Sequence, residues 1–217
     1  MNPHFPPNSL AAMRVVVAAG QLGMQERQLD RFDVRGMRDL DLLKQALARM
    51  DEVLAQEWAQ RAEGLPYKDP GQALIMASLV EKETGVPHER EEIAGVFVRR
   101  LRIGMLLQTD PTVIYGLGAR YNGNLTRANL REPTAYNTYT NAGLPPTPIA
   151  LVGRAAIHAA LHPAAGNSLY FVARGDGSHV FSASLDAHNR AVREFQLKRR
   201  ADYRSSPATP ELKKDSQ

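Results

Sequence analysis

Apolar residues recur at three- and four-residue spacing along residues 39–63, which predicts a long amphipathic helix. The predicted apolar stripe of this helix consists of Leu43, Leu47, Met50, Leu54 and Trp58. The segment GLPYKDPG (64–71) ends the pattern with two prolines and two glycines.

Two further helices follow. The first, ALIMASLVEKET (73–84), carries so many small and apolar residues that we expect it to be buried. The second, HEREEIAGVFVRRLR (88–102), begins with acidic residues and ends with arginines, as the helix dipole favours. Its predicted apolar stripe consists of Ile93, Val96, Phe97 and Leu101.

The C-terminal third predicts a small sheet between helices. GRAAIHAALH (153–162) is a short helix that Pro163 ends, and LDAHNRAVREFQLKRRA (185–201) is a closing helix. Between them, SLYFVARG and SHVFSAS are separated by Asp176-Gly177, which is typical of a β-hairpin. The predicted fold class is therefore α+β, mostly helical with a small antiparallel sheet.

The pattern of apolar and polar residues divides the chain into three parts. Residues 1–38 have no sustained period and form an atypical N-terminal segment; residues 39–200 form the predicted domain; residues 201–217 are a polar tail, predicted to be disordered. Within the domain, residues 104–153 are rich in Gly, Pro, Asn, Thr and Tyr, with short helices predicted only near 110–116 and 125–131. So long an irregular stretch in a compact domain predicts a functional surface.

The amino-acid composition limits the classes of function that the chain can have. The 217 residues are 43% hydrophobic and carry a net charge of +4, with the basic residues concentrated in 96–102 and 196–200. Such runs suit nucleic acid, anionic polymers or a solvated face, but the aromatics (6%) do not interleave with them as single-strand binders require. Nucleic-acid binding is therefore not the predicted function, but it remains an alternative. The chain has no cysteine and no apolar run of membrane-spanning length.

Two carboxylates end the apolar helix 73–84. With 3.6 residues per turn, Glu83 falls in the same arc of roughly 100° as Met76, Leu79 and Val80, whereas Glu81 points elsewhere. A glutamate on an apolar face loses hydration, which raises its pKa and suits it to donate a proton near neutral pH. The alternative is that the helix merely ends, with Gly85 as its C-terminal cap and both glutamates in water. Acidic groups are unfavourable at a helix C-terminus, which weakens this alternative.

Other polar residues offer weaker signals. Asp110 precedes Pro111, which predicts a helix start with Asp110 as N-cap. His162, His179 and His188 are too widely spaced for a local metal motif, so capping or core roles and no metal are predicted.

The remaining polar residues argue against a serine nucleophile and a nucleotide cofactor, and one group of them suits sugar recognition. The serines lack a G-x-S-x-G context, and no glycine pattern of a nucleotide cofactor is present, so no cofactor is predicted. The run Tyr136, Asn137, Thr138, Tyr139 combines flat rings with hydroxyl and amide groups, which suits sugar recognition or, alternatively, an ordinary turn.

Several long motifs occur in an order that resembles one family. They are VEKETGVPHEREEIAGVFVRRLRIGMLLQTDPTVIYGLG (80–118), NGNLTR (122–127), PTAYNTYTNAGLPPTPIA (133–150), HPA (162–164) and LYFVARGDGSHVFSASLDAHN (169–189). Together they resemble the endolytic murein transglycosylases, the MltG/YceG-like family, over about residues 40–198.

The resemblance implies an enzyme that cleaves the MurNAc–GlcNAc bond within peptidoglycan strands, leaves a 1,6-anhydro-MurNAc end and so terminates nascent strands. It implies Glu83 as the single catalytic acid and base. It also implies peptidoglycan strands as substrate, peptidoglycan synthases as partners, and a membrane anchor that holds the domain on the periplasmic face of the inner membrane. The candidates for holding the sugar are Gln108, Thr109, Asp110, Tyr136, Asn137, Thr138 and Tyr139.

The start of the chain departs from the family. Residues 1–38 resemble neither the membrane helix nor the LysM-like subdomain that precede the catalytic domain in the family, so we expect a truncated or frame-shifted reading there. A glycan-binding remnant without activity is the alternative within the same family.

Overall fold

The computed structural model describes residues 39–197, and side chains within 45–196. Residues 1–38 and 201–217, for which an atypical segment and a tail are predicted, lie outside this range, as does most of the basic run 196–200. None of the helices within the described residues has both the length and the apolar character needed to cross a membrane.

Seven α-helices and two strands make up residues 39–197. The helices are α1 (Asp39–Ala59), α2 (Pro70–Glu83), α3 (Arg90–Arg102), α4 (Asp110–Leu117), α5 (Arg127–Arg131), α6 (Arg154–Leu161) and α7 (Leu185–Val192). Single 3₁₀ turns occupy Pro87–Glu89 and Gly118–Arg120, and a π turn, Arg193–Leu197, extends α7. The strands are β1 (Tyr170–Ala173) and β2 (His179–Ser182). The α+β class with a small antiparallel sheet is confirmed.

The two strands form the predicted hairpin. They pair in antiparallel register with Tyr170 opposite Ser182 and Ala173 opposite His179. In the connecting turn, Oδ1 of Asp176 accepts hydrogen bonds from the backbone N–H (2.9 Å) and the hydroxyl (2.7 Å) of Ser178. These bonds stabilise the turn, which contains two glycines at positive φ.

Helix α6 lies at the centre of the core and contacts α1, α2 and α3. Its alanines keep it narrow, so that the neighbouring helices approach closely; Ala156 and Ala160 are fully buried. Phe97 of α3 is also fully buried and makes an edge-on contact with Phe171 of β1, with ring centroids 5.8 Å apart. This contact joins the sheet to the helical core.

The apolar stripe predicted for α1 is wrong at one position. Leu47 is 51% exposed, whereas Val53 and Leu54 are buried. Helix α6 has eight residues and is only about 12 Å long, whereas α1 has 21 residues and spans about 31 Å.

Candidate active site

Glu83 is the last residue of α2, at the point where the helix leaves the core. The N-cap of the helix is Asp69, whose carboxylate accepts a hydrogen bond from Gln72 N–H at 2.9 Å. The C-cap residue, Thr84, is extended (φ −141°), and Gly85 is not left-handed, so a left-handed Gly85 does not cap the helix. Met76, Leu79 and Val80 are fully buried on the face that continues to Glu83. The helical-wheel placement of Glu83 is confirmed, and the interpretation of Gly85 as the cap is wrong.

The environment of Glu83 raises its pKa to about 7. Burial is the largest cause, because it disfavours the ionised carboxylate. The hydrogen bond from Thr109 lowers the pKa, the charge of Asp110 raises it, and the charge of Arg100 lowers it again. At neutral pH the group is close to its titration midpoint and can both give and accept a proton.

Thr109 fixes the orientation of the carboxyl group. Its hydroxyl donates a hydrogen bond to Oε1 of Glu83. The Thr109 backbone is itself held in a buried network, since its N–H donates to Thr138 Oγ1 at 3.0 Å. Because Oε1 is the acceptor in this bond, Oε2 of Glu83 is left to carry the transferable proton.

Gln108, next to Thr109, has an unusual backbone. Its φ of +52° lies in the left-handed region, where a residue with a side chain costs roughly 1 kcal/mol or more. Its N–H donates to Thr138 O at 3.1 Å, which holds this conformation. The side chain is exposed and lines the same cavity as Glu83. Strain of this kind often accompanies functional sites.

Asp110 does not act as the predicted N-cap. Helix α4 begins at Asp110 itself, and its N-cap position is occupied by Thr109, without a capping side-chain bond. The Asp110 carboxylate instead accepts a hydrogen bond from Tyr139 Oη at 2.6 Å. Burial and the bond to Asp110 both raise the pKa of Tyr139, so the phenol stays protonated and donates. Asp110 and Tyr139 therefore form a polar pair in the cavity wall.

The other three residues of the 136–139 run lie away from the cavity. Asn137 is fully buried, and its amide nitrogen donates to the carbonyls of Leu130 (3.2 Å) and Glu132 (2.7 Å). Thr138 is buried in the threonine network. Tyr136 Oη is 2.8 Å from Thr147 Oγ1. These contacts hold the irregular segment together, and direct sugar binding by these three residues stays a prediction.

A cavity of about 410 Å³ brings the site together. Its wall includes Glu83, Gln108, Asp110 and Tyr139 among the predicted residues. It also includes residues that the sequence did not indicate as site residues: Arg100, Leu107, Tyr170, Phe171, Leu185, His188 and Asn189.

Tyr170 and His188 stack in this wall, with ring centroids 5.2 Å apart. Burial and the nearby charge of Arg100 lower the pKa of His188, so its imidazole is neutral at neutral pH. Nδ1 of His188 is buried without a hydrogen-bond partner in the described structure. Stacked aromatic rings in a cavity wall are suited to pack against a sugar ring.

Glu81 is on the opposite side of the helix end and has a structural partner. Its Oε2 accepts a hydrogen bond from Gly153 N–H, at 3.1 Å, directly before α6. The next segment is tied to the hairpin through Glu89, whose carboxylate accepts from the backbone N–H of His179 (2.8 Å) and lies 2.7 Å from its Nδ1. His179 is therefore the core histidine that was predicted. These contacts fix the end of α2 and thus Glu83.

One cluster of the described residues has metal-ligand chemistry. The ligand atoms of Glu57, His158 and His162 lie within 4.8 Å of one another. The Glu57 carboxylate is already paired, since it accepts a hydrogen bond from Arg154 Nε (2.9 Å) and lies 2.8 Å from His158 Nδ1. None of these residues lines the cavity that contains Glu83.

Comparison with known proteins places this geometry in context. The sequence model of the YceG-like family matches residues 30–194. The endolytic murein transglycosylase of Bacillus subtilis is 43% identical over 122 residues, which are 56% of this chain and 34% of that protein. The endolytic murein transglycosylase of Streptococcus pneumoniae serotype 2 is 32% identical over 162 residues, which are 70% of this chain and 28% of that protein. The chain thus spans about a third of the length of these curated relatives.

A solved structure has the same fold. The crystal structure of a YceG-like protein from Listeria monocytogenes superimposes with a TM-score of 0.61 at 35% sequence identity. The match covers 70% of this chain and 48% of that one.

Proposed function

This chain belongs to the YceG-like family, and on that premise we propose that it is a lytic transglycosylase of peptidoglycan. It cleaves the MurNAc–GlcNAc bond within the glycan strand and leaves a 1,6-anhydro-MurNAc end. The observation that carries the proposal is the Glu83 carboxyl, with a pKa of about 7, in the wall of a cavity. The activity named for the curated relatives, endolytic murein transglycosylase, supports the same reaction.

In the first step, Glu83 acts as an acid. The proton on Oε2 passes to the glycosidic oxygen, the C1–O bond breaks, and its electron pair stays on the departing oxygen. C1 of MurNAc takes on oxocarbenium character. Glu83 becomes a carboxylate, which the hydrogen bond from Thr109 and the charge of Arg100 both favour.

In the second step, Glu83 acts as a base. Its carboxylate removes the proton from the C6 hydroxyl of the same MurNAc while O6 attacks C1. The new C1–O6 bond closes the anhydro ring, Glu83 regains its proton, and no water is consumed. A single carboxyl group therefore suffices for this reaction, whereas typical glycoside hydrolases need two.

Asp110 supports a second candidate function. It is another carboxylate in the cavity, with Tyr139 hydrogen-bonded to it. In a transglycosylase its negative charge stabilises the oxocarbenium centre. In a glycoside hydrolase it would instead activate a water molecule, and the product would carry a reducing end.

The proposal extends to the setting of the reaction. The family resemblance supports nascent peptidoglycan strands as the substrate, termination of strand elongation as the role, peptidoglycan synthases as partners, and the periplasmic face of the inner membrane as the location.

The basic run 96–102 gives the nucleic-acid alternative little support. Arg99 donates to the carbonyls of Ser168 and Ala164, and Arg100 is buried, so the run is not an open basic stripe.

Digestion of purified peptidoglycan, followed by mass spectrometry of the products, tests the proposal. Products with anhydro-MurNAc ends support the transglycosylase, and products with reducing ends support the hydrolase. An absence of products together with measurable glycan binding supports the glycan-binding remnant.

A further inference from the structure

Arg100 is a buried cation in the wall of the cavity. Its Nε donates to Leu169 O at 2.7 Å, and its Nη1 donates to Leu107 O at 2.7 Å and to Leu106 O at 3.3 Å. The ring centroid of Tyr170 lies 5.4 Å from the guanidinium carbon. These contacts hold the guanidinium group at a defined position.

Arg100 is not ion-paired with any carboxylate among the described side chains. Among the side chains of residues 45–196, none of the ion pairs within 4.0 Å includes Arg100. Buried arginines are usually paired, because an unpaired buried cation loses hydration without full compensation. Backbone carbonyls supply only partial charges, so the charge of Arg100, which also acts on Glu83, can attract an anionic group in the cavity.

The second terminal nitrogen of Arg100 is available for a hydrogen bond. Nη2 donates to none of the described residues, and it is not among the buried polar atoms that lack a partner. It therefore keeps contact with solvent, and Arg100 is part of the cavity wall. A charged group with two free N–H bonds is well suited to bind a carboxylate.

We propose that Arg100 binds a carboxylate carried by the sugar that occupies the cavity. The inference rests on the proposed function, since it names which substituent of the glycan the site recognises. MurNAc offers two sources of this chemistry. Its lactyl carboxylate is free when the peptide stem is missing, and a stem peptide carries carboxylates of its own.

The neighbouring arginine provides a matched control. Arg99 also fastens α3 to the segment before β1, with Nε donating to Ser168 O (2.7 Å) and Nη1 to Ala164 O (2.9 Å). Arg99 does not line the cavity. Replacing Arg99 therefore loosens the same junction without removing a charge from the site.

The test measures binding rather than turnover. Glu83→Gln protein, which cannot act as the acid, is titrated with three purified glycan strands of equal length. One strand bears stems, one is stemless with a free lactyl carboxylate, and one is stemless with that carboxylate converted to a methyl amide. We expect the stemless acid to bind about tenfold more tightly than the methyl amide, as for a charge-assisted hydrogen bond. If the stem-bearing strand binds as tightly as the stemless acid, the stem carboxylates are a second source of the carboxylate that Arg100 binds.

The two arginine variants test whether Arg100 causes the preference for the acid over the methyl amide. Arg100→Met in the Glu83→Gln background should remove the difference between acid and methyl amide, whereas Arg99→Met should keep it. Equal affinity of the Glu83→Gln protein for acid and methyl amide would overturn the proposal, as would an equal loss of preference in both arginine variants. If Arg100→Met does not fold, comparing the stemless acid with the methyl amide on the Glu83→Gln protein still tests whether the site prefers a carboxylate. Failure of the proposed function is seen separately, as an absence of anhydro products from the parent protein.

Discussion

The hydroxyl of Thr109 donates a hydrogen bond to Oε1 of Glu83, across a separation of 26 residues in the chain. This bond opposes the effect of burial on the pKa of Glu83 and leaves Oε2 to carry the proton. Because it stabilises the carboxylate more than the acid, it favours the state that Glu83 reaches after the first proton transfer.

Thr109→Val should move the pH dependence of the reaction. The substitution keeps the shape of the side chain but removes a hydrogen bond that lowers the pKa of Glu83, so the pKa should rise above about 7. Since Glu83 must be protonated to act as the acid, kcat/KM falls as pH rises through its pKa, and this alkaline limb should move to higher pH. The measurement is kcat/KM on purified glycan strands between pH 5 and pH 9. Thr109→Ser keeps the hydroxyl and should retain the parent profile; a limb that moves to lower pH in Thr109→Val would contradict the assignment.

Glu83→Gln should stabilise the protein at alkaline pH. A folded-state pKa of about 7, above the unfolded value of 4.5, means that the folded protein binds more protons between these two pH values. The free energy of unfolding therefore decreases as pH rises from about 4.5 to about 7 in the parent, by on the order of 2–3 kcal/mol. Urea denaturation at pH 4 and pH 8 measures it. Relative to the parent, Glu83→Gln should gain stability between these pH values.

Gln108→Gly should separate stability from activity. The φ of +52° at Gln108 suits glycine, so the substitution relieves strain of roughly 1 kcal/mol, less the entropy that glycine adds to the unfolded chain. Gln108→Ala removes the same side chain but keeps the strain, so it should be the less stable of the two in thermal unfolding. Both variants should lose turnover if the side chain binds sugar. Full activity in both would exclude Gln108 from the binding site.

Tyr139→Phe should reduce turnover more than Tyr136→Phe does. Tyr139 lines the cavity and donates to Asp110 at 2.6 Å, whereas Tyr136 lies outside and contacts Thr147. We expect a decrease in kcat/KM of about tenfold for Tyr139→Phe, as for the loss of one hydrogen bond to a charged group. A larger decrease for Tyr136→Phe would show that sugar binding extends to the opposite side of the 136–139 segment.

The helices and the position of Glu83 were predictable because they depend on local periodicity. The 3.6-residue repeat places Glu83 after Met76 and Val80 on the buried face. It could not reveal that Leu47 is exposed, because exposure depends on which other elements pack along α1.

The remaining parts of the site depend on contacts between distant segments. Arg100 was read as part of a basic run, and only the fold shows it bonded to Leu169 O, 69 residues away. Tyr170 and His188 likewise reach the cavity through the hairpin and α7. The structural role of Asn137 also depends on the fold: buried irregular backbone requires hydrogen-bond partners, and the Asn137 amide supplies them, while sugar binding by Asn137 stays a prediction.

In the proposed reaction Glu83 alone is both the acid and the base, and no water is consumed. The most direct test is mass spectrometry of purified peptidoglycan after digestion by the parent, Glu83→Gln and Glu81→Gln proteins, with circular dichroism to confirm that all three are folded. Glu81 is the matched control because it lies on the same helical turn and its hydrogen bond from Gly153 can be kept by a carboxamide oxygen. We predict anhydro-MurNAc ends from the parent and from Glu81→Gln, and none from Glu83→Gln. Reducing ends from the parent, or anhydro ends from Glu83→Gln, would contradict this proposal.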